Sequence, residues 1–176
     1  LGNHWKGQFF TPYNVCECMA SITINDNVQT LEKQEWISAN DPACGAGATL
    51  VAAANIFRRK KINYQTQVLF TANDIDRVVA QMCYIQLSLL GCAGWVAVAN
   101  TISNPVCGDP LMPDERPGQE FWYTPFYFRE EWNCRRQLQI FKEICGSWIT
   151  PIKEHNPGKI TFYFDFEKGE YKCQNS

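Results

Sequence analysis

The segment DPACGAG, at residues 41–47, constrains the fold of this chain more than any other stretch. A short run with strand composition precedes it at residues 35–39, and an alanine-rich run with helical composition follows at residues 46–61. Glycine adopts backbone conformations that other residues avoid, and it lets a ligand approach the main chain closely. We therefore predict a strand, a glycine turn and a helix in succession, with the turn as a candidate binding site. Packing of the helix against the strand is the alternative reason for the two glycines.

Strand-like and helix-like patterns alternate along the chain. Predicted helices cover residues 11–24, 46–61, 76–90 and 130–146, and predicted strands cover residues 35–39, 66–72, 94–100, 120–128, 159–166 and 169–173. Residues 25–34 and 103–120 are predicted loops, and Thr11 is the expected N-cap of the first helix. This order is typical of an α/β fold, in which a mostly parallel central sheet carries helices on both faces. Ligands of such sheets bind beyond the carboxyl ends of the strands.

The charge balance of the chain argues against an independent nucleic-acid-binding domain. Sixteen Lys and Arg residues oppose eighteen Asp and Glu residues, which gives a net charge of −2 and a pI near 5.7. A domain that holds nucleic acid alone is usually basic, so any contact with DNA would use a local patch or a more basic partner. Four consecutive cations at residues 58–61 are typical of a helix C-terminus, with a phosphate-contacting patch as the alternative.

Cysteine usage and hydropathy predict a cytoplasmic protein. The nine cysteines are an odd number and form no CxxC pair, so we expect reduced thiols rather than disulfides or a zinc site. No apolar run reaches the roughly 20 residues that a membrane helix needs, and the N-terminus does not resemble a signal peptide. With 176 residues, of which 45% are hydrophobic, the chain has the size of one domain.

Three aspartates follow the predicted strands at positions that suit an adenosyl ligand. Asp41 opens the glycine turn, where it would repel a pyrophosphate and attract a positive group such as the ammonium of methionine. Asp74 follows the next strand and can accept hydrogen bonds from both hydroxyls of a ribose, while Asp76 is the expected N-cap of the helix after it. Asp109, in GDPL at residues 108–111, can accept a bond from an adenine amino group or form an ordinary Asp-Pro turn.

Four motifs in a fixed order resemble the S-adenosylmethionine-dependent N6-adenine DNA methyltransferases, in particular the modification subunit of type I restriction systems. The matching segments are GQFFTP at residues 7–12, DPACGAG at residues 41–47, ANDIDRVVAQMCYIQLSLLG at residues 72–91 and GDPL at residues 108–111. The resemblance covers residues 5–111 and leaves residues 112–176 divergent. It implies a Rossmann-like methyltransferase fold in a single domain, residues 1–176, with a short N-terminal helix and S-adenosylmethionine as cofactor.

The resemblance also implies which residues contact the cofactor. Thr11 and the aromatic residues of the first motif would lie over the methionine part, Ile75 would pack on the adenine ring, and Asp109 would recognise its amino group. The implied cofactor-binding residues are Phe10, Thr11, Asp41, Ala43, Gly45, Gly47, Asp74, Ile75 and Asp109. No metal takes part in methyl transfer of this kind.

The catalytic tetrapeptide of the family, [DNS]-P-P-[YFW], has no exact counterpart in this sequence. In the family, a side-chain oxygen and a backbone carbonyl of this motif accept hydrogen bonds from the adenine amine, and the aromatic ring stacks on the flipped base. The nearest match is TPFY at residues 124–127, which follows Asp109 as the family order requires. Thr124, Pro125 and Tyr127 are therefore the candidate catalytic residues, and a buried strand end is the alternative interpretation.

These observations favour an enzyme that transfers a methyl group from S-adenosylmethionine to an adenine amino group in DNA. The chain is short and acidic, so a separate specificity subunit would recognise the DNA sequence. The degenerate tetrapeptide leaves a second hypothesis, a catalytically inactive relative that binds S-adenosylmethionine and acts as an interaction or regulatory module. A third hypothesis keeps the cofactor site and changes the acceptor to a protein or a small molecule.

Overall fold

The computed structural model describes residues 2–3, 8–9, 11–31, 35–148, 160–165 and 170–175. The helices are α1 (Tyr13–Leu31), α2 (Ala48–Arg59), α3 (Tyr64–Gln67), α4 (Arg77–Leu90) and α5 (Glu130–Trp148), with a 3₁₀ turn at Pro125–Phe128. The strands are β1 (Gly2–Asn3), β2 (Gln8–Phe9), β3 (Ile37–Asp41), β4 (Val68–Asp74), β5 (Ala93–Val98), β6 (Cys107–Asp109), β7 (Met112–Asp114), β8 (Glu120–Tyr123), β9 (Ile160–Asp165) and β10 (Glu170–Asn175). Of the helices in these described ranges, none is long and apolar enough to cross a membrane.

The chain divides into two compact units, Leu1–Ile140 and Phe141–Ser176. The second unit contains the antiparallel hairpin of β9 and β10, in which Ile160 lies opposite Asn175. Both strands lie within a few residues of their predicted positions. The single domain over residues 1–176 stays a prediction, and the site described below lies in the first unit.

A four-stranded sheet in the order β3-β4-β5-β8 forms the centre of the first unit. Strands β3, β4 and β5 run parallel, with Asp41 opposite Ala72 and Asp74 opposite Val98, whereas β8 pairs antiparallel with β5. Helix α2 lies between β3 and β4 in the chain, and α4 lies between β4 and β5, because parallel neighbours need a long crossover connection. The predicted α/β fold with a mostly parallel central sheet is confirmed.

Apolar side chains cover both faces of this sheet. On one face, Phe70 of β4 lies in a cluster with buried residues of α1, α2 and α4, among them Cys83. On the other face, Trp95 of β5 clusters with Tyr127 of the 3₁₀ turn and Trp132 of α5. Full burial of one large side chain such as Phe70 contributes about 1.5–3 kcal/mol. The two clusters therefore hold the strands firmly and leave their carboxyl ends as a rigid base for the adjoining loops.

Helix α1 starts two residues later and ends seven residues later than the predicted helix over residues 11–24. The Pro12 carbonyl accepts the first bonds of the helix, including one from the Cys16 N–H at 3.1 Å, so Pro12 rather than Thr11 directly precedes it. Residues 25–31 contain neither glycine nor proline, and their polar composition alone wrongly predicted a loop. The expected short N-terminal helix is a helix of 19 residues.

The region between the parallel strands and α5 differs from its prediction in two places. The hairpin of β6 and β7 lies inside the predicted loop at residues 103–120. The predicted strand at residues 120–128 ends at Tyr123, because Pro125 has no N–H for a strand ladder and instead begins the 3₁₀ turn.

Candidate functional site

The glycine turn at residues 41–47 connects the carboxyl end of β3 to α2. Gly45 and Gly47 have positive φ angles of 51° and 88°, which residues with side chains rarely adopt. A Cβ at Gly47 would lie 2.8 Å from the sulfur of Cys83 in α4, so Gly47 is required for the close packing of the turn against this helix. A Cβ at Gly45 would meet no atom within 4 Å. The two glycines therefore differ in role, because Gly47 packs against protein and Gly45 borders open space.

Hydrogen bonds join the end of β4 to the glycine turn. The Gly45 N–H donates to Oδ2 of Asp74 at 2.8 Å, and the Asp76 N–H donates to Oδ1 of the same carboxylate at 2.9 Å. The Asp76 carboxylate accepts from the Val78 N–H at 2.9 Å, which confirms its predicted role as the N-cap of α4. Each carboxylate oxygen has two lone pairs, so Asp74 can accept further bonds from the hydroxyls of a ligand.

Asp41 is a half-buried carboxylate in the same turn. Its Oδ1 accepts a hydrogen bond from the Ala43 N–H at 3.2 Å. Burial raises the pKa of the Asp41 carboxyl above its ordinary value of 3.8, hydrogen bonds from Ala43 and Thr49 oppose this shift, and the negative charge of Asp74 adds to it. Two neighbouring carboxylates in a partly desolvated turn favour a ligand that brings positive charge.

Backbone hydrogen bonds hold the loops after β3, β4 and β5 together. The Cys44 N–H donates to the Asn73 carbonyl at 3.0 Å, and the Ala99 N–H donates to the Asp74 carbonyl at 3.0 Å. The last two carbonyls of β4 are thus bonded to the loops on either side of it. We use the term carboxyl rim for residues 41–47, 73–76 and 99–101.

Asp109 lies beside a cavity of about 330 Å³ on the face of the sheet that carries Trp95. The lining residues are Ser38, Asn40, Pro42, Thr71, Asn73, Trp95, Thr101 and residues 105–110. Oδ1 of Asp109 accepts from the Leu111 N–H at 2.8 Å, so the Asp-Pro turn that was the alternative interpretation is present. Because alternate residues of a strand point to opposite faces, this cavity and the Asp41–Asp74 pair lie on opposite faces of the sheet. The cavity connects Asp109 to the carboxyl rim through Asn73 and Thr101.

Three other predicted cofactor-binding residues, Thr11, Ala43 and Ile75, are exposed to solvent. Ile75 follows β4 and is 68% exposed, and Ala43 is exposed in the glycine turn. Thr11 is exposed and lies two residues before α1, which packs against α2. Phe10 lies outside the described residues. An exposed aliphatic side chain at the strand end is available to pack on a planar ring, as the prediction for Ile75 requires.

The TPFY tetrapeptide lies at the opposite end of the sheet. The Thr124 side chain is 0% exposed, its hydroxyl donates to the Cys92 carbonyl at 2.7 Å, and it accepts from the Gly94 N–H at 3.0 Å. Cys92 and Gly94 mark the amino end of β5. Tyr127 is 6% exposed, and its hydroxyl donates to the Leu111 carbonyl. These polar groups are therefore used in protein contacts inside the fold.

This geometry does not bring the candidate catalytic residues to the carboxyl rim. Strand β5 has six residues, and at 3.3 Å per residue its two ends are about 16 Å apart. Thr124 and Tyr127 are buried at the amino end, and Pro125 begins the 3₁₀ turn there. Catalysis by Thr124, Pro125 and Tyr127 stays a prediction, and the buried contacts of Thr124 and Tyr127 favour the alternative interpretation of the tetrapeptide, a buried strand end.

Comparison with known proteins identifies the family. The family model described as N-6 DNA Methylase matches residues 3–120. The chain belongs to the N-6 DNA methylase family. It is thereby assigned to the adenine-N6 methyltransferase class, and the match contains the whole carboxyl rim and ends before the tetrapeptide at residues 124–127. Neither the curated proteins nor the solved structures gave a significant match.

Two polar residues of this methylase-family site were missed by the sequence analysis. The Asn73 amide donates to the Thr101 hydroxyl at 2.7 Å, and that hydroxyl donates to the Pro42 carbonyl, so both side chains support the carboxyl rim. Asn73 is 4% exposed, and its bond to Thr101 gives this buried amide the hydrogen-bond partner that such side chains normally have. The available signal was the position of Asn73 beside Asp74 at a strand end, where polar residues face loops rather than the core.

Two cysteines, Cys44 and Cys83, lie where the glycine turn packs against α4. Cys44 and Cys83 are buried, and the Cys83 sulfur beside it raises the pKa of the Cys44 thiol well above its usual range, so the Cys44 thiol is protonated at neutral pH. Every cysteine whose side chain the structure describes is a free thiol. Over the same residues, no group of three or more His, Cys, Asp or Glu side chains is arranged to hold a metal ion.

Proposed function

We propose that the chain binds S-adenosylmethionine at the carboxyl rim, as the cofactor-binding domain of a DNA adenine-N6 methyltransferase. The observation that carries this proposal is the hydrogen bond of 2.8 Å between the Gly45 N–H and Asp74, beside open space at Gly45. It joins the glycine turn directly to the acidic end of β4. This combination suits a ligand that has both a sugar and a positively charged group.

The chemistry of the rim fits such a ligand. The pair of carboxylates is partly desolvated and would gain a positive neighbour from the sulfonium or the ammonium of the cofactor. A Cβ at Gly45 would occupy the space that the cofactor needs. When bound, the cofactor supplies a methyl group that its positive sulfur makes reactive towards an amine.

Three rim residues, together with Asp109, have proposed tasks in binding this group. Asp41 would pair with the ammonium of the methionine part, and Asp74 would accept hydrogen bonds from the ribose hydroxyls with its remaining lone pairs. Ile75 would cover one face of the adenine ring. Asp109, from its cavity on the other face, would accept a bond from the adenine amino group, as the resemblance to the methyltransferases implies.

DNA is the proposed substrate, and a separate specificity subunit is the proposed partner, as in type I restriction systems. The net charge of −2 supports this division, because a domain of this charge gains little from the phosphate backbone by itself. A basic partner would supply the electrostatic attraction and the recognition of bases.

A second candidate function, a non-catalytic module that binds S-adenosylmethionine, is favoured by one observation. Transfer to adenine requires oxygen atoms that accept bonds from the amine, but the nearest match to the catalytic motif lies buried at the amino end of the sheet. If no partner supplies such groups, the domain would bind the cofactor without turnover and act in interaction or regulation.

Two measurements on the purified chain test these proposals. Isothermal titration calorimetry with S-adenosylmethionine tests the cofactor site, and transfer of a radiolabelled methyl group to adenine-containing DNA, with and without a candidate specificity subunit, tests catalysis. Binding with transfer supports the enzyme, and binding without transfer under both conditions supports the non-catalytic module. Absence of measurable binding by a folded chain would refute both.

A further inference from the structure

Helix α4 exposes a continuous row of large apolar side chains. Val78, Met82, Ile85 and Leu89 are 63%, 44%, 54% and 83% exposed. The opposite side of the helix is buried in the core, through residues that include Ala80. We use the term α4 stripe for the four exposed residues. The helix is therefore apolar on two sides, and only one of them is covered.

The spacing within the α4 stripe fits another helix as its partner. Successive members are four, three and four residues apart, which is the repeat that places side chains on the seam of a coiled coil. Such side chains insert between those of a facing helix that has the same repeat. A second copy of α4 has this repeat and therefore offers matching holes.

The surroundings of the α4 stripe permit contact with a second copy of the same helix. Arg77, at the first position of α4, is the charged residue in the sequence of this helix, and it is paired with Glu120 at 2.9 Å. The residues flanking the stripe, Gln81, Gln86 and Ser88, are uncharged. Two copies would therefore approach each other without like-charge repulsion, whereas a strongly charged partner would find no complementary charge.

The exposed apolar area is sufficient for a weak symmetric interface. The α4 stripe exposes on the order of 500 Å² per chain, which is at the upper end of the largest apolar patch on an ordinary monomer. Two such patches bury about 1,000 Å² in total, which is the lower limit for a specific interface. A pair of this size predicts a reversible dimer that depends on protein concentration.

We infer that two copies of this chain form a homodimer by packing their α4 stripes against each other. A symmetric dimer uses the same surface on both copies, as a self-complementary helix seam allows. Among its described side chains, helix α1 exposes Val15, Met19 and Ile22, and its sequence includes Glu17 and Asp26. The proposed dimer contact lies on α4, which begins directly after residues 73–76 of the carboxyl rim, and its test measures association without S-adenosylmethionine.

Sedimentation velocity over a concentration series, from roughly 1 to 100 μM, tests the dimer. The unchanged chain should shift from monomer to dimer within this range. Leu89→Glu places a charge on the stripe and should raise the dissociation constant at least tenfold, with an unchanged circular dichroism spectrum. Ile22→Glu is the matched control, because Ile22 is a 64% exposed isoleucine on α1, and it should leave the dissociation constant unchanged.

A charge-exchange experiment identifies the facing surface. One chain carries Met82→Glu with Ile85→Glu, and the other carries Met82→Lys with Ile85→Lys, so that each alone should be monomeric. An equimolar mixture should form a heterodimer, because opposite charges meet in either orientation of the helices. A monomer at every concentration of the unchanged chain, dissociation by Ile22→Glu instead of Leu89→Glu, or no association in the mixture would each overturn the α4 dimer.

Discussion

The two ends of the central sheet contain the same kind of contact in different surroundings. At the carboxyl end, the Gly45 N–H donates to Asp74 at 2.8 Å, and at the amino end the Gly94 N–H donates to Thr124 at 3.0 Å. In both, a glycine amide is held by a side-chain oxygen about 30 residues later in the chain. The first contact borders open space and uses a carboxyl oxygen, whereas the second is buried and uses a hydroxyl oxygen.

The comparison shows that space, not the hydrogen bond, distinguishes a candidate ligand site from a structural contact. A Cβ at Gly94 would lie 1.7 Å from the Phe70 carbonyl oxygen, but a Cβ at Gly45 would meet nothing within 4 Å. A residue with an acceptor oxygen is available to a ligand only where the chain around it leaves room. The amino end has no such room, and so its polar groups stabilise the fold.

The largest expected effect is the difference in stability loss between alanine substitutions of Gly94 and Gly45. Gly94→Ala should destabilise the protein by about 4 kcal/mol or more, because the methyl group overlaps the backbone of β4 and the strands must separate. Gly45→Ala should cost only about 1–2 kcal/mol, the strain of a left-handed backbone. Chemical denaturation of both variants measures this difference. Equal losses would show that the two ends are equally crowded.

The next effect tests the role of Thr124. Thr124→Val keeps the shape of the side chain but leaves the Gly94 N–H without its partner, so stability should fall by about 2 kcal/mol. The affinity of the folded protein for S-adenosylmethionine should not change. Thr124→Ser retains the hydroxyl and should lose only about 1 kcal/mol. If Thr124→Val lost cofactor binding while its stability was unchanged, Thr124 would belong to the functional site.

A third variant tests the carboxyl rim directly. Asp74→Ala removes the proposed acceptor of the ribose hydroxyls and should weaken binding of S-adenosylmethionine by about 1–3 kcal/mol in calorimetry. Asp76→Ala is the control from the same helix start. It should cost about 1 kcal/mol of stability through the lost cap and leave the affinity unchanged. Equal affinities of the Asp74→Ala variant and the unchanged protein would remove Asp74 from the site.

The smallest expected effect is the pH dependence of binding. The folded pKa of Asp41 lies above 3.8, so the carboxyl gains its proton at a higher pH than in the unfolded chain. Affinity for the positively charged cofactor should therefore fall several-fold as the pH is lowered through this pKa. The same shift means that Asp41 lowers the stability of the free protein as the pH rises through this window.

Asp41→Asn is the matched control for this titration, because the amide has the same shape and no charge. Its affinity for S-adenosylmethionine should be lower at neutral pH and should lose the pH-dependent component that Asp41 contributes. Its melting temperature at neutral pH should equal or exceed that of the unchanged protein, since the buried charge is gone. A pH profile of binding identical to that of the unchanged protein would assign the dependence to another group.

Much of the carboxyl rim could be predicted from the sequence because local patterns define it. Asp76 and Gly91 are recognisable helix ends, and the structure places them at the start and end of α4. The parallel order of β3, β4 and β5 follows from the helices between them. Once the strands are parallel, Asp41 and Asp74 must lie at the same edge of the sheet.

The position of TPFY was not predicted because the direction of β8 depends on what precedes it. Residues 99–119 contain the β6–β7 hairpin and no helix, and a parallel connection usually contains one. The missing helix was a signal that β8 returns antiparallel and delivers Thr124 to the amino end. The strand-end position of Asn73 was a local signal for a polar role, but its pairing with Thr101 had none, since the two residues are 28 positions apart.

The bonds from Cys44 and Ala99 to the last two carbonyls of β4 connect the loop after β3 and the loop after β5 through a single strand. A ligand bound to the glycine turn would restrict the end of β4. Through β4 it would also restrict the loop after β5, which borders the cavity of Asp109 on the other face of the sheet. Hydrogen–deuterium exchange at the Ala99 amide would then slow on occupancy, although this amide touches no part of the turn. Binding on one face of the sheet would thus change the backbone mobility on the other face without any large movement.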